Sequence, residues 1–289
     1  QLSLHDTDGA ASPAQQSPLE VAEVHQSVEI LLVEIHERIR QNIGKRLMMK
    51  RHFLSGTTAV TGQGFERFLP FIQTLPKRFE QGEGQVIYQG RNELRQMRYE
   101  ETDVVVKSFR LPNLINRIAY GWLRSSKAER SFRYAERLLK MGILTPKPIG
   151  YYTERKHFLF ARSYYACYRS SCPYTYADLL RQPFPDEEAI LQAIAQTTAR
   201  LHEAGWLHKD YSRGNILFGL TPEGVRVEII DLNRIRFKQV GWEEGCRNFE
   251  RLPLNDRMLT ILTSAYAQAR GFDVERCLEW MRQHHANRI

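Results

Sequence analysis

Apolar and polar positions change period several times along the chain, and each change marks an element. Within residues 18–45, Val21, Val24, Val28, Leu31, Ile35 and Ile39 recur at helical spacing, which predicts an amphipathic helix or a short coiled-coil seam. The preceding residues 1–17 are rich in Ser, Ala, Gln and Pro and read as disordered. A helix is expected over about 64–78. The period then drops to two: residues 85–89, 94–99 and 104–109 read as strands, the first two joined through Gly90-Arg91-Asn92 and the last two through a polar turn at 100–103. Helical spacing returns after Ser125-Ser126 with Ala128, Phe132, Ala135 and Leu139, and Gly142 ends it. Tyr151-Tyr152 and residues 157–160 read as two further strands. Asp186 then caps a long helix whose inward positions are Ile190, Leu191, Ile194, Thr198 and Leu201, closed by Gly205. Beyond Asp231 the pattern is mostly helical, and no internal repeat is visible.

Composition changes this picture little. At 289 residues, 42% hydrophobic and 26% charged, the chain has the make-up of an ordinary soluble protein with ample material for a core. No apolar run approaches the roughly 20 residues that span a bilayer. The polar start lacks the basic and apolar regions of a signal peptide, so export is not expected. Charge matters more: 41 Lys and Arg against 33 Asp and Glu give +8, an excess that suits an anionic partner or simply a basic protein. Cys167, Cys172, Cys246 and Cys277 form no CxxC pair and have no histidine at ligand spacing, which favours reduced thiols over a zinc site.

The chemistry concentrates after the long helix. Residues 207–217 read Leu-His-Lys-Asp-Tyr-Ser-Arg-Gly-Asn-Ile-Leu, and an apolar run then ends in Asp231. An H-x-D-x-x-x-x-N loop followed by a strand-terminal aspartate is the phosphoryl-transfer arrangement of kinase-like enzymes. In that arrangement Asp210 is the general base for a hydroxyl, while Asn215 and Asp231 supply oxygen ligands suited to Mg²⁺. His208 is expected to prop the loop from behind. Leu232-Asn233 stands where protein kinases carry Phe-Gly, and Asn233 is expected to take the left-handed conformation of that glycine.

Upstream, Lys107 in Val-Val-Val-Lys-Ser-Phe is placed to neutralise the α- and β-phosphates of ATP and to pair with a glutamate on the next helix. Glu129 and Glu136 share one face of that helix, and Glu129 is preferred for its place in the segment 126–131. No GxGxxG is present. Gly90 and Arg91 lie at the right hairpin to contact phosphates, or form an ordinary turn. Between Lys107 and the helix, residues 110–127 carry an apolar stripe (Leu111, Leu114, Ile115, Ile118, Trp122) flanked by Arg110, Arg117, Arg124 and Lys127. That pattern fits a basic amphipathic helix on an anionic membrane surface, or a helix packed on the neighbouring lobe with solvated arginines.

From about Phe68 onward the chain resembles the lipopolysaccharide kinases of the Kdo kinase and inner-core heptose kinase group. The segments that carry the resemblance are 86–94, 105–109, 113–120, 127–131, 142–148 with Thr145-Pro146-Lys147-Pro148, the 208–215 loop, and Asn248-Phe249-Glu250-Arg251-Leu252. The resemblance implies an α+β, two-lobed, protein-kinase-like fold. Its antiparallel sheet lobe would cover 49–165 and its mainly helical lobe 166–289, with residues 1–48 outside the resemblance as an N-terminal extension. It also implies ATP- and Mg²⁺-dependent phosphorylation of a sugar hydroxyl on the lipid A inner core. The enzyme would be peripheral on the cytoplasmic face of the inner membrane of a Gram-negative bacterium, with no nucleic-acid partner. On the family pattern Asp210 is the base, Lys107 the nucleotide lysine, and Asn215 and Asp231 the metal ligands.

Two features separate the chain from protein kinases. Ser212 stands two positions after Asp210, where Ser/Thr protein kinases carry lysine, and no Ala-Pro-Glu segment follows Asp231. Residues 232–289 are also too few for a full peptide-docking lobe. A small or lipid-linked alcohol is therefore expected, with Kdo ahead of heptose. An aminoglycoside-type phosphotransferase shares the aspartate loop but not the basic insert. A nucleotide-binding scaffold without transfer is disfavoured because Lys107, Asp210, Asn215 and Asp231 are all present.

Overall fold

In the computed structural model, residues 55–110, 125–156 and 159–285 are described; they belong to one unit spanning Leu54–Ile289. The expected N-terminal extension with its helix over 18–45, the basic stripe between 111 and 124, and the start of the strand expected over 157–160 lie outside them.

The alternating segments form the strands they predict. Strands β2 (Gln85–Gln89), β3 (Asn92–Tyr99) and β4 (Thr102–Phe109) make two successive antiparallel hairpins. The second turn is tight enough to need a positive φ at Glu100. Strands β5 (Pro148–Lys156) and β6 (Leu159–Tyr168) extend the sheet, and β6 pairs with β4. The sheet thus continues three residues past the boundary at 165 expected for this lobe.

A sixth strand, β1 (Ser55–Thr61), was not anticipated, because Ser-Gly-Thr-Thr-Ala-Val-Thr shows no alternation. It pairs with β5, and the sheet order is β1-β5-β6-β4-β3-β2. The close approach of β1 depends on Gly150, where an added Cβ would collide with the Val60 carbonyl oxygen.

Helix α1 (Leu69–Glu80) buries Phe71, Ile72 and Leu75, with Phe68 beside them, against Val104 and Val106 on one face of the sheet. Each such side chain contributes about 2 kcal/mol of burial. Alternation turns Lys107 and Phe109 to the other face, where Phe109 packs with Ala128, Phe132 and Tyr151. Ala128 and Phe132 belong to helix α2 (Lys127–Lys140), capped by Ser126, whose Oγ accepts from the Glu129 amide at 3.0 Å. Its buried stripe is Ala128, Ser131, Phe132, Ala135 and Leu138; the expected Leu139 lies one step around and is only partly buried.

The remainder is mainly helical. It comprises the strand β7 (Tyr174–Thr175), the single turn α3 (Tyr176–Leu179), helix α4 (Glu187–Glu203), and strands β8 (Trp206–His208), β9 (Ile216–Thr221), β10 (Gly224–Ile229) and β11 (Ile235–Phe237). Helices α5 (Trp242–Arg247), α6 (Asp256–Arg270) and α7 (Val274–His284) complete it. All five inward positions expected for α4 are fully buried, and α4 packs along α6 in one core. Asp186 stands at the N-cap of α4 without a side-chain capping bond. The antiparallel sheet followed by a helical region is the expected α+β arrangement.

Candidate active site

Helix α4 is followed, after its C-cap Ala204, by Gly205, whose φ of 75° reverses the chain into β8 and delivers His208 to a completely buried position. His208 Nε2 lies 3.0 Å from the Ile230 carbonyl, and Nδ1 accepts the Asp210 amide at 3.1 Å. The second bond makes Nδ1 an acceptor, so the ring is the neutral tautomer with its proton on Nε2. Burial lowers the pKa of His208, which keeps it in that form. One imidazole therefore ties the Asp210 loop to the end of β10, as expected of a prop behind the loop.

Within the loop, Asn215 Nδ2 donates to the Asp210 carbonyl at 2.8 Å and to Ser212 Oγ at 3.3 Å. With both amide hydrogens engaged, Oδ1 is the atom Asn215 offers to a ligand. The backbone of Asn215 accepts from the Ile230 amide at 3.0 Å, which brings it beside Asp231. Tyr211 is buried beneath the loop and reaches Thr198 Oγ1 on α4 at 2.5 Å.

Asp231 itself adopts the left-handed conformation, with φ 58° and ψ 49°, whereas Asn233 sits in a short 3-10 turn. The expectation that Asn233 takes the left-handed position is thus corrected. The His208 bond to the Ile230 carbonyl and the β9–β10 hairpin fix the chain direction up to Ile230, so the reversal falls on the next residue. Asn233 instead donates its side-chain amide to Asp231 Oδ1.

Lys107 on β4 meets that carboxylate, which follows β10 of a separate sheet: its Nζ lies 2.6 Å from Asp231 Oδ1. The expected pairing with Glu129 is not formed. Glu129 is bound to Arg133 at 2.7 Å, one helical turn away, and neither Glu129 nor Glu136 is within ion-pair reach of Lys107. The left-handed turn aims Asp231 at the ammonium and takes the place expected of the glutamate.

Gly90 and Arg91 form the β2–β3 turn. The Gly90 amide bonds to the Asn92 carbonyl at 3.1 Å and so is engaged within the turn, while an added Cβ would stand 2.5 Å from Tyr88 Oη. Arg91 lies close enough to Lys127 to repel it. The Lys127 pKa is lowered chiefly by burial, then by Arg91, Arg130 and Lys107, with Asp231 opposing. Lys127, at the first position of α2, was read from sequence as the edge of the basic stripe and the start of the 127–131 segment, with no role at the site.

Two further residues escaped the sequence reading. Arg234 Nη1 lies 3.1 Å from Asp210 Oδ2, and Arg251 Nη1 contacts Oδ1, so each oxygen of the carboxylate carries a guanidinium. Arg251 lay within a segment already singled out, at 248–252; Arg234 had no signal of its own. Asp210, Asn215, Asp231 and Lys107 thus converge on one site in which cations outnumber carboxylates, an electrostatic match to a polyphosphate.

The family model described as "Lipopolysaccharide kinase (Kdo/WaaP) family" matches residues 78–269. Among solved structures, "WaaP in complex with acyl carrier protein" is 18% identical with a TM-score of 0.54, covering 78% of this chain and 97% of that one. The Rio2 kinase–ADP/Mg²⁺–phosphoaspartate complex from Chaetomium thermophilum is 14% identical with a TM-score of 0.45, covering 73% and 69%. No curated protein matches. The first of these structures shares the fold of this chain, a kinase-like sheet and helical lobe.

Proposed function

The chain belongs to the lipopolysaccharide kinase (Kdo/WaaP) family, a phosphotransferase family acting on sugar hydroxyls, and on that premise we propose that it phosphorylates Kdo on the lipid A inner core at the expense of ATP. In this reading the acceptor hydroxyl gives its proton to Asp210 as its oxygen bonds to the γ-phosphorus. The bond from that phosphorus to the bridging oxygen breaks, and ADP leaves. Lys107, with Lys127 and Arg91 nearby, supplies positive charge to the phosphate chain. Asn215 Oδ1 and the Asp231 carboxylate are hard oxygen donors that fit Mg²⁺, which would neutralise phosphate oxygens when bound. Glu129, bound to Arg133, would join Lys107 only if α2 or Lys107 shifted on nucleotide binding.

The observation that carries the reading is the Lys107–Asp231 contact beside an Asp210 loop fixed by His208 and Asn215. It links the sheet lobe and the helical lobe at the point where a triphosphate would lie. We propose a sheet lobe and a helical lobe as expected, with 1–48 as an extension and with the boundary moved from 165 to the end of β6 at Tyr168. Among the described residues no helix is long and apolar enough to cross a membrane. On the family membership and the basic stripe read from the sequence within 110–127, we place the enzyme peripherally on the cytoplasmic face of the inner membrane. Charge reversal at Arg117 and Arg124 should then weaken binding to anionic vesicles.

The test is transfer from labelled ATP with Mg²⁺ to a Kdo-capped lipid A precursor. Labelled Kdo is the expected product, lost in Asp210→Asn. Labelling only of a heptose-containing core would replace Kdo by heptose, and an undiminished Asp210→Asn rate would remove Asp210 as base.

A further inference from the structure

We propose that Arg234 and Arg251 form an oxyanion subsite for the acceptor, so that the enzyme selects a sugar carrying a negative charge beside the reacting hydroxyl. The inference rests on Asp210 being the base. Its starting point is that both carboxylate oxygens of Asp210 are occupied, Oδ2 by Arg234 at 3.1 Å and Oδ1 by Arg251. Each oxygen keeps a second lone pair, so the carboxylate can still receive a proton, and moving a guanidinium aside opens the approach of a hydroxyl to it.

The two arginines are built for such an exchange. Their side chains are 52% and 56% exposed against 23% for Asp210, so both are more open to solvent than the carboxylate they hold. They come from separate segments, the turn after Asp231 and the connection between α5 and α6, and converge on Asp210 alone among the described acidic groups. Exposed ion pairs are weak, so moving a guanidinium from Asp210 to an incoming anion costs little. Two cations on one carboxylate also leave a positive charge to be matched. The guanidinium fork presents parallel N–H donors to a carboxylate or phosphate, geometry that a lysine does not reproduce.

The anion on the acceptor has two possible sources, the carboxylate of a sugar acid such as Kdo and a phosphate ester on the glycolipid. A neutral heptose has neither. Binding of an anionic acceptor would draw the arginines forward and clear Asp210 for the hydroxyl, coupling recognition to activation of the base.

The experiment measures equilibrium binding, without ATP, of three glycolipids: a Kdo–lipid A precursor, its carboxyl methyl ester, and the same precursor stripped of its lipid phosphates. Wild type should bind the ester about tenfold or more weakly than the acid, the effect of losing a charge-assisted hydrogen bond. Arg251→Gln and Arg234→Gln/Arg251→Gln should bind acid and ester alike, with Arg251→Lys intermediate, and should leave the KM for ATP unchanged. If removal of the phosphates weakens wild-type binding in place of esterification, the anion recognised is phosphate. Equal wild-type binding of all three glycolipids, or an acid preference that survives in the double variant, overturns the subsite. A preference for the acid without any phosphate transfer would leave the subsite standing and overturn the catalytic reading instead.

Discussion

Lys107 on β4 and Asp231 at the end of β10 meet at 2.6 Å, joining residues 124 positions apart across the cleft. Neither side chain is fully withdrawn from solvent, at 14% and 21% exposure, and Asp231 keeps Asn233 as a second partner. Removing the lysine charge should therefore harm function more than folding. In Lys107→Met, kcat/KM for ATP should fall about a hundredfold or more while Tm moves by only a few degrees. A coupled ATPase or transfer assay and a thermal melt check both parts. Unchanged kcat/KM would exclude Lys107 from nucleotide binding.

Behind the loop lies a buried polar chain. Asn248 Nδ2 donates to the His208 carbonyl at 3.0 Å, and its Oδ1 lies 3.0 Å from His202 Nε2. Since that oxygen only accepts, His202 must carry its proton on Nε2. Asn248→Ala leaves the N–H of the buried His202 ring and the His208 carbonyl without this half-buried partner. We expect a loss of about 2 to 3 kcal/mol, read by denaturant unfolding, and a fall in kcat exceeding any change in KM for ATP. Wild-type stability in this variant would show that water replaces the amide.

His202 makes stability depend on pH. Burial lowers its pKa to about 4, from an ordinary value near 6.5, and burial lowers that of His208 in the same direction. A depressed folded-state pKa means that the unfolded chain binds the proton more readily. The stabilisation is thus complete above about pH 6.5 and is lost as pH falls toward 4. For His202 the loss amounts to about 3 kcal/mol at most. Tm should fall over this window, and less steeply in His202→Gln, which keeps one donor and one acceptor. A His202→Gln slope equal to that of wild type would assign the dependence to other groups.

What sequence could reveal divides along the same lines as what holds these residues in place. The hairpins β2–β3–β4, helix α2 and helix α4 were legible because period and caps are local signals, and Lys107, Asp210, Asn215 and Asp231 stood out because their spacing matches that of kinase-like phosphotransferases. Strand β1 was not legible: its pairing is specified by Gly150 on a strand far along the chain. Arg234 and Arg251 were missed because a single arginine does not reveal which distant carboxylate it will approach. The left-handed residue was misplaced at Asn233 because local preference was weighed, whereas a buried histidine bond to Ile230 sets the turn.

Gly245 on α5 tests how far that buried chain constrains its surroundings. Its backbone is helical, so replacing it with alanine should ordinarily stabilise the helix by about 1 kcal/mol. Here the added Cβ would collide with the Tyr266 hydroxyl and stand 2.8 Å from Cζ. Tyr266 is completely buried, its ring packed edge-on against Phe249 and His202 and its hydroxyl 2.8 Å from His202 Nδ1. It cannot move without breaking that hydrogen bond and opening the core. The steric cost should exceed the helix gain, and Gly245→Ala should lose about 3 kcal/mol, a drop in Tm on the order of 10 °C. Adding Tyr266→Phe removes the nearest atom but leaves Cζ too close and His202 Nδ1 without its donor, so rescue should be partial. A Gly245→Ala melt at the wild-type temperature would mean that Tyr266 has room the packing denies it.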